Sequence, residues 1–392
     1  MTTNEWNAQD PFPFYSQMRN NNAVHYNESL TITDGRKGAW EVFRYEDVKR
    51  VLSDYQFFTS DYYPSDAGEG LSKAFIYTDP PIHKKYRMGY VMKAYGSDTA
   101  ERLTPFAEYI SERIVNQLKE KNSAEIVSQF SAVIPIEIIC ILMGVPLEDA
   151  KQFGRWADIV TTAANGGDLD INEFTQAQQE MAMYFMGVFQ EKRKKPQDDF
   201  ISRLMLTKAD GVYLNDTDLL GTAILMLLAG HETTKNLISS CLLVLSDQPE
   251  LQFKLSEQPQ KIPNFITEVL RFYSPFQSVY RKAAQDVVLG GMQIKKGDLI
   301  VPYLGSANRD EQKFANPDQF DMERQLNVKN LAFGHGVHQC IGMDLAQTEA
   351  VIAIKTLLDA VKDIQVNKDS IEMHNSYIVY GIRKMEVSWS MK

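Results

Sequence analysis

Cysteine is scarce in this sequence. The three cysteines, Cys140, Cys241 and Cys340, lie far apart in the chain. Thiols so few and so widely separated exclude a disulfide framework and favour a reducing compartment. The first ten residues are polar and carry no apolar run, which predicts neither a signal peptide nor a membrane anchor. We therefore expect a cytoplasmic protein.

The sequence also lacks an internal boundary and an excess of basic residues. No stretch rich in proline, glycine or serine divides the 392 residues, and no segment repeats, so we expect one domain spanning residues 1–392. The formal net charge of −10 leaves no domain-wide positive surface to displace counterions, which excludes nucleic acid as the main partner. Hydrophobic residues make up 44% of the chain, which is enough for an ordinary globular core.

A glycine-rich loop over residues 333–342 carries Cys340. Apolar residues at helical spacing follow from Met343 to Ala360 and predict a helix. Cys340 therefore stands near a helix N-terminus, where the dipole lowers the pKa of a thiol and suits a thiolate that binds a metal. The glycines of the loop allow a tight turn close to a flat or bulky group.

Two other interpretations of this loop stay open from the residues alone. Cys340 can be a buried structural cysteine beside a glycine turn, which is the commoner role for a lone cysteine. His335, His338 and Cys340 can also be zinc ligands by type. Their spacing, however, is not that of structural zinc sites, and no Cys-x-x-Cys pair supplies further ligands.

An unusually long apolar pattern runs from Leu219 to Leu245, after polar residues at 215–218 that can cap a helix. The pattern predicts one helix of roughly 40 Å. His231, Glu232 and Lys235 lie at its centre and exclude a membrane span, because a charged group there costs about 2.5 to 3.5 kcal/mol. We expect the buried central helix of a globular protein.

The middle of this helix contains a glycine followed by an acid and an alcohol. Glycine costs about 1 kcal/mol inside a helix, so Gly230 requires a packing or functional reason. Our interpretation is that Gly230 lets a ligand approach the backbone, while Thr233 binds a helix carbonyl and widens the groove. Glu232 beside Thr233 also suits proton delivery.

Two pairs of charged residues stand at helical spacing elsewhere. His83 and Arg87 lie four residues apart in a segment that starts with Asp79 and two prolines, and Glu268 and Arg271 lie three apart. Such pairs are usually solvated, and an exposed pair contributes only about 0.2 to 0.5 kcal/mol. Neither pair indicates a function by itself.

The pattern Phe-x-x-Gly-x-x-x-Cys-x-Gly, at Phe333, Gly336, Cys340 and Gly342, resembles the haem-binding signature of the cytochrome P450 superfamily in its bacterial form. The run Ala-Gly-x-Glu-Thr-Thr from residue 229 resembles the oxygen-activation motif of that family. The resemblance implies haem b as cofactor, with the Cys340 thiolate as ligand to the iron. It also implies that Glu232 and Thr233 are the catalytic pair that delivers protons.

Further motifs follow in the order of the family. The segment from Asp79 to Arg87 resembles the helix that binds a haem propionate, and Glu268 with Arg271 resembles the Glu-x-x-Arg motif, for which Arg324 is the expected third member in a structural role. The resemblance implies these haem contacts: His83, Arg87, Ala229, Gly230, Arg281, Phe333, Gly334, His338, Cys340 and Gly342.

The fold implied by the resemblance is the triangular, mainly α P450 fold with small β-sheets and the long helix over the haem. Substrate contacts would come from the variable loop, the central helix, the segment after the Glu-x-x-Arg helix and the C-terminal turn. The residues at these places are Tyr62, Tyr63, Leu71, Phe75, Leu225, Phe276, Val279, Tyr280, Tyr377 and Ile378.

The activity implied is insertion of one oxygen atom of O2 into a lipophilic small molecule such as a steroid, terpenoid or fatty acid. Electrons would come from a separate ferredoxin or flavodoxin with a reductase, because the chain has no flavin-binding or iron–sulfur segment. We expect that partner to dock near Lys84, Lys85 and His335, and the protein to be a monomer.

Two alternatives to this activity remain. A haem-thiolate peroxygenase would use peroxide without a redox partner, and a non-catalytic haem-binding or sensor protein would keep Cys340 alone. Neither needs a proton relay, so the adjacent Glu232 and Thr233 favour the monooxygenase.

Overall fold

Helices form most of the chain. The computed structural model describes residues 6–32, 35–62, 74–164, 170–325 and 328–392. The α-helices are α1 (Phe12–Asn21), α2 (Tyr45–Ser53), α3 (Ile82–Tyr86), α4 (Met92–Tyr95), α5 (Thr99–Leu118), α6 (Val133–Met143), α7 (Ala150–Ala164), α8 (Ile171–Lys194), α9 (Phe200–Leu206), α10 (Asp216–Asp247), α11 (Pro249–Glu257), α12 (Ile262–Phe272), α13 (Leu304–Ala307) and α14 (Met343–Ala360). Short 3-10 turns lie at Phe75–Tyr77, Leu147–Asp149, Pro259–Lys261, Gly336–His338 and Lys368–Ser370, and π-helical turns lie at Arg87–Val91 and Val127–Ser131.

The long helix α10 passes through the core. It begins where the Asn215 side chain accepts a hydrogen bond of 2.8 Å from the Asp218 N–H, which satisfies one of the free donors of the first turn. From His231 to Leu245 every residue except Thr233 is buried. α10 contacts α6, α7, α8, α12 and α14, so the prediction of a buried central helix is confirmed. None of the helices in the described ranges is long and apolar enough to cross a bilayer.

Short strands form two small sheets and three two-stranded ribbons. The strands are β1 (Val24–Thr31), β2 (Lys37–Val42), β3 (Phe58–Thr59), β4 (Ser123–Glu125), β5 (Lys208–Ala209), β6 (Val212–Tyr213), β7 (Arg281–Ala283), β8 (Val287–Leu289), β9 (Met292–Ile294), β10 (Leu299–Pro302), β11 (Val361–Val366), β12 (Glu372–Met373), β13 (Ile382–Lys384) and β14 (Glu386–Met391).

The larger sheet has the strand order β1-β2-β10-β7-β3. β10 runs parallel to β2, with Ile300 opposite Trp40, and the other pairs are antiparallel. The second sheet has the order β11-β14-β4, while β5 with β6, β8 with β9, and β12 with β13 form the ribbons. This architecture is the mainly helical fold with small sheets that the sequence predicted.

The segment that carries Cys340 connects the sheet side of the molecule to the helical core. α14 starts at Met343, as the apolar pattern predicts, and packs against α5, α10 and α12. The turn at Gly336–His338 packs against α2. The loop is therefore held at both ends, and Cys340 lies between them.

Candidate active site

Backbone geometry explains two glycines of the Cys340 loop. Gly334 and Gly336 have φ angles of 69° and 78°, in the left-handed region that disfavours other residues. A Cβ atom on Gly336 would also lie 2.8 Å from the Cα of Ser53, at the end of α2. The Cys340 N–H donates a hydrogen bond of 2.9 Å to the Phe333 carbonyl, so the turn fixes the direction of the cysteine. Of the three thiols, Cys140 and Cys241 are buried and Cys340 is exposed.

The environment of the Cys340 thiol differs from the one that the sequence predicted. Although the residue is exposed, protein surrounds the sulfur closely enough that burial raises the pKa of Cys340. The Gly342 N–H and the Arg87 guanidinium lower this pKa by less. Gly342 is the N-cap of α14, so this lowering by the helix N-terminus has the predicted direction, but burial of the sulfur outweighs it. A metal cation deprotonates a coordinating thiol outright, so bound iron would hold Cys340 as a thiolate.

Two histidines lie face to face beside the loop. The ring centroids of His83, in α3, and His338 are 4.1 Å apart. His83 is 2% exposed, and its Nε2 atom has no hydrogen-bond partner among the described residues. Burial, followed by the charges of His338 and Arg87, lowers the pKa of His83 to about 4. A buried donor without a partner is costly, so Nε2 of His83 is suited to a ligand acceptor. The expectation that His83 is a solvated surface residue is therefore wrong.

Arginines surround the same two histidines. Arg87 donates a hydrogen bond to the Gln339 carbonyl, and buried Arg281 donates one of 2.7 Å to the Tyr280 carbonyl. Both guanidinium groups act electrostatically on His83 and His338. Among the residues that the structure describes, Asp79 is the acidic group that acts on both histidines, with its Oδ1 3.9 Å from Nε2 of His338. Two arginines against one carboxylate leave an excess of donors and positive charge, which suits bound carboxylates.

One face of α10 is open. Leu225, Ala229 and Thr233 are four residues apart and share that face, with Ala229 exposed and the other two half-buried. The Thr233 hydroxyl donates a hydrogen bond of 3.0 Å to the Ala229 carbonyl, as the sequence predicted. A small residue between two larger ones leaves a depression in the surface of the helix.

A side chain at position 230 would extend away from the open face, toward α6. A Cβ atom there would lie 2.3 Å from Cδ1 and 3.0 Å from Cγ1 of Ile139 in α6. A side chain at this position would therefore press against Ile139 of α6, which gives a packing reason for the glycine. The expectation that Gly230 lets a ligand approach the backbone stays a prediction.

Glu232 is buried on a different side of α10 from the open face. Its Oε2 lies 2.6 Å from the Lys235 ammonium, its Oε1 accepts a hydrogen bond of 3.0 Å from Asn236, and Nε2 of His374 is 3.6 Å from Oε1. Burial raises the pKa of Glu232, but Lys235, His231 and His374 together lower it by more, and the net shift is downward. Glu232 is thus held as a carboxylate. The proton-delivery role of Glu232 and Thr233 stays a prediction.

The predicted structural triad is brought together. Nε and Nη2 of Arg271 donate hydrogen bonds of 2.8 and 2.7 Å to the two carboxylate oxygens of Glu268. Nε of Arg324 donates one of 3.0 Å to Glu268 Oε1. Glu268 and Arg271 are 2% and 0% exposed, so this pair is a buried one. Arg271 also donates to the carbonyls of Asn308 and Pro317, which ties α12 to the chain before the Cys340 loop.

The predicted substrate contacts divide into two groups. Phe276 is 36% exposed, and Val279 and Leu225 are half-buried. In contrast, Phe75 and Ile378 are buried in hydrophobic clusters.

Three of the predicted tyrosines lie together at the sheet side. The Tyr62 ring is 5.4 Å from that of Tyr280, and the Tyr280 and Tyr377 hydroxyls are 2.8 Å apart. Tyr377 also donates to the Thr31 carbonyl. Tyr63 and Leu71 lie outside the described residues.

Sequence reasoning missed several polar partners. Ser60 bonds to His338 with 2.9 Å between Oγ and Nε2. Asp158 of α7 lies 3.5 Å from Lys235, and His374 lies beside Glu232. These residues are distant in the chain from the groups that they contact, so no local sequence pattern predicts the contacts.

The exposed residue Cys340, the excess of positive charge around the two histidines and the small residue on the open face fit an iron porphyrin with two carboxylates. His83, Arg87, Arg281 and His338 would hold the carboxylates, and Cys340 would hold the iron. A mainly helical fold around such a site defines a haem-thiolate protein.

Comparison with known proteins identifies the family. The cytochrome P450 family model matches residues 168–379. A putative cytochrome P450, YjiB of Bacillus subtilis, is 33% identical over 98% of this chain and 95% of its own length. CYP109E1 from Bacillus megaterium, solved with testosterone, is 33% identical with a TM-score of 0.88 over 97% of this chain and 98% of that one. P450BioI, solved with an acyl carrier protein bearing hexadec-9Z-enoic acid, is 30% identical with a TM-score of 0.88 over 98% of both chains.

The chain therefore belongs to the cytochrome P450 superfamily. It is a P450 monooxygenase, and its cofactor is haem bound through a cysteine thiolate.

Proposed function

We propose that this P450 monooxygenase inserts one oxygen atom of O2 into a lipophilic small molecule of the steroid, terpenoid or fatty-acid type. The observation that carries the proposal is the uncharged character of the open face. Leu225 and Ala229 on this face are apolar, and Phe276 and Val279, the accessible predicted contacts after α12, are apolar as well. Apolar lining with few polar groups is typical of sites for lipophilic ligands. CYP109E1 with testosterone and P450BioI with a fatty acyl group support these classes.

Bound haem supplies the reductive activation of dioxygen, which consumes two electrons and two protons for each oxygen atom inserted. The residues of the chain supply the protons. The Thr233 hydroxyl lies on the open face, where it can donate a hydrogen bond toward a ligand, and Glu232 is the nearest acid along the helix. Retention of an alcohol on this face supports use of dioxygen over use of peroxide.

A separate ferredoxin or flavodoxin, served by a reductase, would supply the electrons. A basic surface beside the Cys340 loop supports this part of the proposal. Burial lowers the pKa of His335, and the nearby Lys49 and Lys329 ammonium groups lower it further, which places three basic groups together. Lys84 is exposed, whereas Lys85 is 3.2 Å from Asp210 and is already paired. Such a surface can steer an acidic partner.

Carbon monoxide added to the reduced protein tests the function. A haem-thiolate site gives a strongly red-shifted absorption band, and Cys340→Ser should lose it while Cys140→Ser, at a buried thiol remote from the loop, should keep it. A Cys340→Ser protein with an unchanged band would refute the assignment. Titration with a steroid, a terpenoid and a fatty acid, followed by the haem absorption band, then identifies the substrate class. Turnover should require O2 and an electron donor, and efficient turnover with peroxide alone would favour a peroxygenase.

A further inference from the structure

Three elements meet around the Glu232 carboxylate. α10 contributes Glu232, Lys235 and Asn236, α7 contributes Asp158, and the ribbon formed by β12 and β13 contributes His374. Glu232 and Lys235 are 3% and 4% exposed. The carboxylate is therefore buried, and these neighbours surround it.

The charges in this cluster assign a different role to each neighbour. Burial lowers the pKa of Lys235, but Glu232 and Asp158 raise it by more, so the net shift is upward and Lys235 keeps its proton. Its ammonium lies between the two carboxylates, 2.6 Å from Glu232 and 3.5 Å from Asp158. Lys235 thus takes the place that a metal ion would need and holds the position of the Glu232 carboxylate through an ion pair. His231 faces the same group, and burial lowers its pKa to about 4, so it is neutral.

His374 is the neighbour that connects Glu232 to solvent. Its side chain is 10% exposed, and its Nε2 lies 3.6 Å from Glu232 Oε1. Burial lowers the pKa of His374, Glu232 raises it by less, and Lys235 and Arg383 lower it further. A partly exposed imidazole can take up a proton from solvent and release it to a neighbouring group.

The ribbon is built to hold this imidazole in place. The His374 N–H donates a hydrogen bond of 2.9 Å to the Gly381 carbonyl. A Cβ atom on Gly381 would lie 2.7 Å from Cδ2 of His374 and 3.3 Å from Nδ2 of Asn236. A glycine at position 381 therefore leaves space for the His374 ring and the Asn236 amide beside Oε1 of Glu232.

We propose that His374 passes protons from solvent to Glu232, with Lys235 as the positioning residue that holds the carboxylate in place. The proposal rests on the proposed function, because those protons are the ones that oxygen activation consumes. In the step, the Nε2–H bond of the imidazolium breaks and an O–H bond forms at Glu232 Oε1. The neutral imidazole then takes a proton from water, and no electrons move.

The distance allows this transfer after a small movement. Proton donors act at about 2.6 to 3.2 Å or through one water, so the 3.6 Å separation must shorten by roughly 0.5 Å or be bridged. Rotation of a partly exposed side chain is enough. His374 acts only through Glu232, so its loss should change proton supply and leave substrate binding unchanged.

His374→Gln tests the proposal, because an amide can donate a hydrogen bond to Glu232 but cannot transfer a proton. His25→Gln is the matched control, since His25 lies in β1 near Glu41 and not near Glu232. We expect the His374→Gln enzyme to yield product at least about tenfold more slowly at saturating substrate. We also expect its solvent deuterium isotope effect to rise at least about twofold, with KM unchanged. An unchanged rate and isotope effect would overturn the proposal.

A second measurement does not depend on turnover. Histidine NMR should show that Glu232→Gln moves the titration of His374 to lower pH, because the carboxylate raises that pKa. A titration unaffected by Glu232→Gln would overturn the contact. If His374→Gln fails to fold, Gly381→Ala, which displaces the imidazole, should give the same isotope effect in weaker form, and its absence would refute the route. A wild-type protein without the red-shifted carbon monoxide band would refute the proposed function separately.

Discussion

Replacing Gly230 by alanine tests whether packing or ligand access explains this glycine. The new Cβ atom would lie 2.3 Å from Cδ1 of Ile139, far inside van der Waals contact. Overpacking of a core costs about 1 to 3 kcal/mol. Alanine regains about 1 kcal/mol of helix propensity. Gly230→Ala should therefore lower the free energy of unfolding by up to about 2 kcal/mol.

The partner of the contact permits a double-mutant cycle. Ile139→Val removes the Cδ1 methyl group and alone should cost about 0.5 to 1.5 kcal/mol. In the double variant the 2.3 Å contact is removed and only the 3.0 Å contact to Cγ1 remains, so Gly230→Ala in that background should be close to neutral. Chemical denaturation followed by circular dichroism measures the four free energies. Direct contacts give coupling energies of about 0.5 to 3 kcal/mol.

Gly187→Ala in α8 is the matched control, because nothing lies within 4 Å of a Cβ atom at that position. That variant should gain about 1 kcal/mol. All variants should keep the haem absorption of the wild type. If Gly230→Ala lost haem while its unfolding free energy stayed unchanged, the packing explanation would be refuted and Gly230 would face the cofactor.

Three further predictions concern the polar groups of α10 and α12. Thr233→Ala should bind substrate as before but release more of the consumed electrons as peroxide, so unchanged product per electron would remove Thr233 from the relay. Glu268→Gln should lower the free energy of unfolding by about 3 to 5 kcal/mol, because it leaves Arg271 buried without its ionic partner. Urea denaturation measures this free energy, and a clearly smaller loss would contradict the prediction. The pKa of His231 is lowered to about 4 by burial, and its stabilising contribution is present above the unfolded pKa and lost as pH falls through 4. The free energy of unfolding should therefore fall by about 3 kcal/mol because of His231 as the pH is lowered from 6.5 to 4. In His231→Gln, denaturation curves recorded across this range should show a weaker dependence on pH.

The Cys340 segment was predictable because its signals are local. Glycines mark the turn, and the apolar spacing that follows gives α14 its start at Met343. The length of α10 was predictable for the same reason, since Asn215 caps it and the apolar run continues to its end. Such signals need only residues within a few turns of each other.

The direction of individual side chains on α10 was not predictable. A helix that is buried on almost all sides has no polar face that fixes its rotation about its axis. The sequence therefore did not indicate that Gly230 faces α6 while Ala229 is exposed. Glu232 is held by Lys235 one turn away, but His374 reaches it from a ribbon more than a hundred residues later. Tertiary packing, which the local pattern does not contain, decides both.

The parallel pairing of β2 with β10 has a consequence for synthesis of the chain. Trp40 pairs with Ile300, 260 residues later. At about 5 to 20 residues per second, a ribosome needs roughly 13 to 52 s to add those residues. During that time the outer edge of β2 has no native partner, and β4 likewise waits for β14. An unpaired strand edge is a template for aggregation. Nascent or truncated chains ending before Leu299 should therefore depend on chaperones far more than the finished protein does.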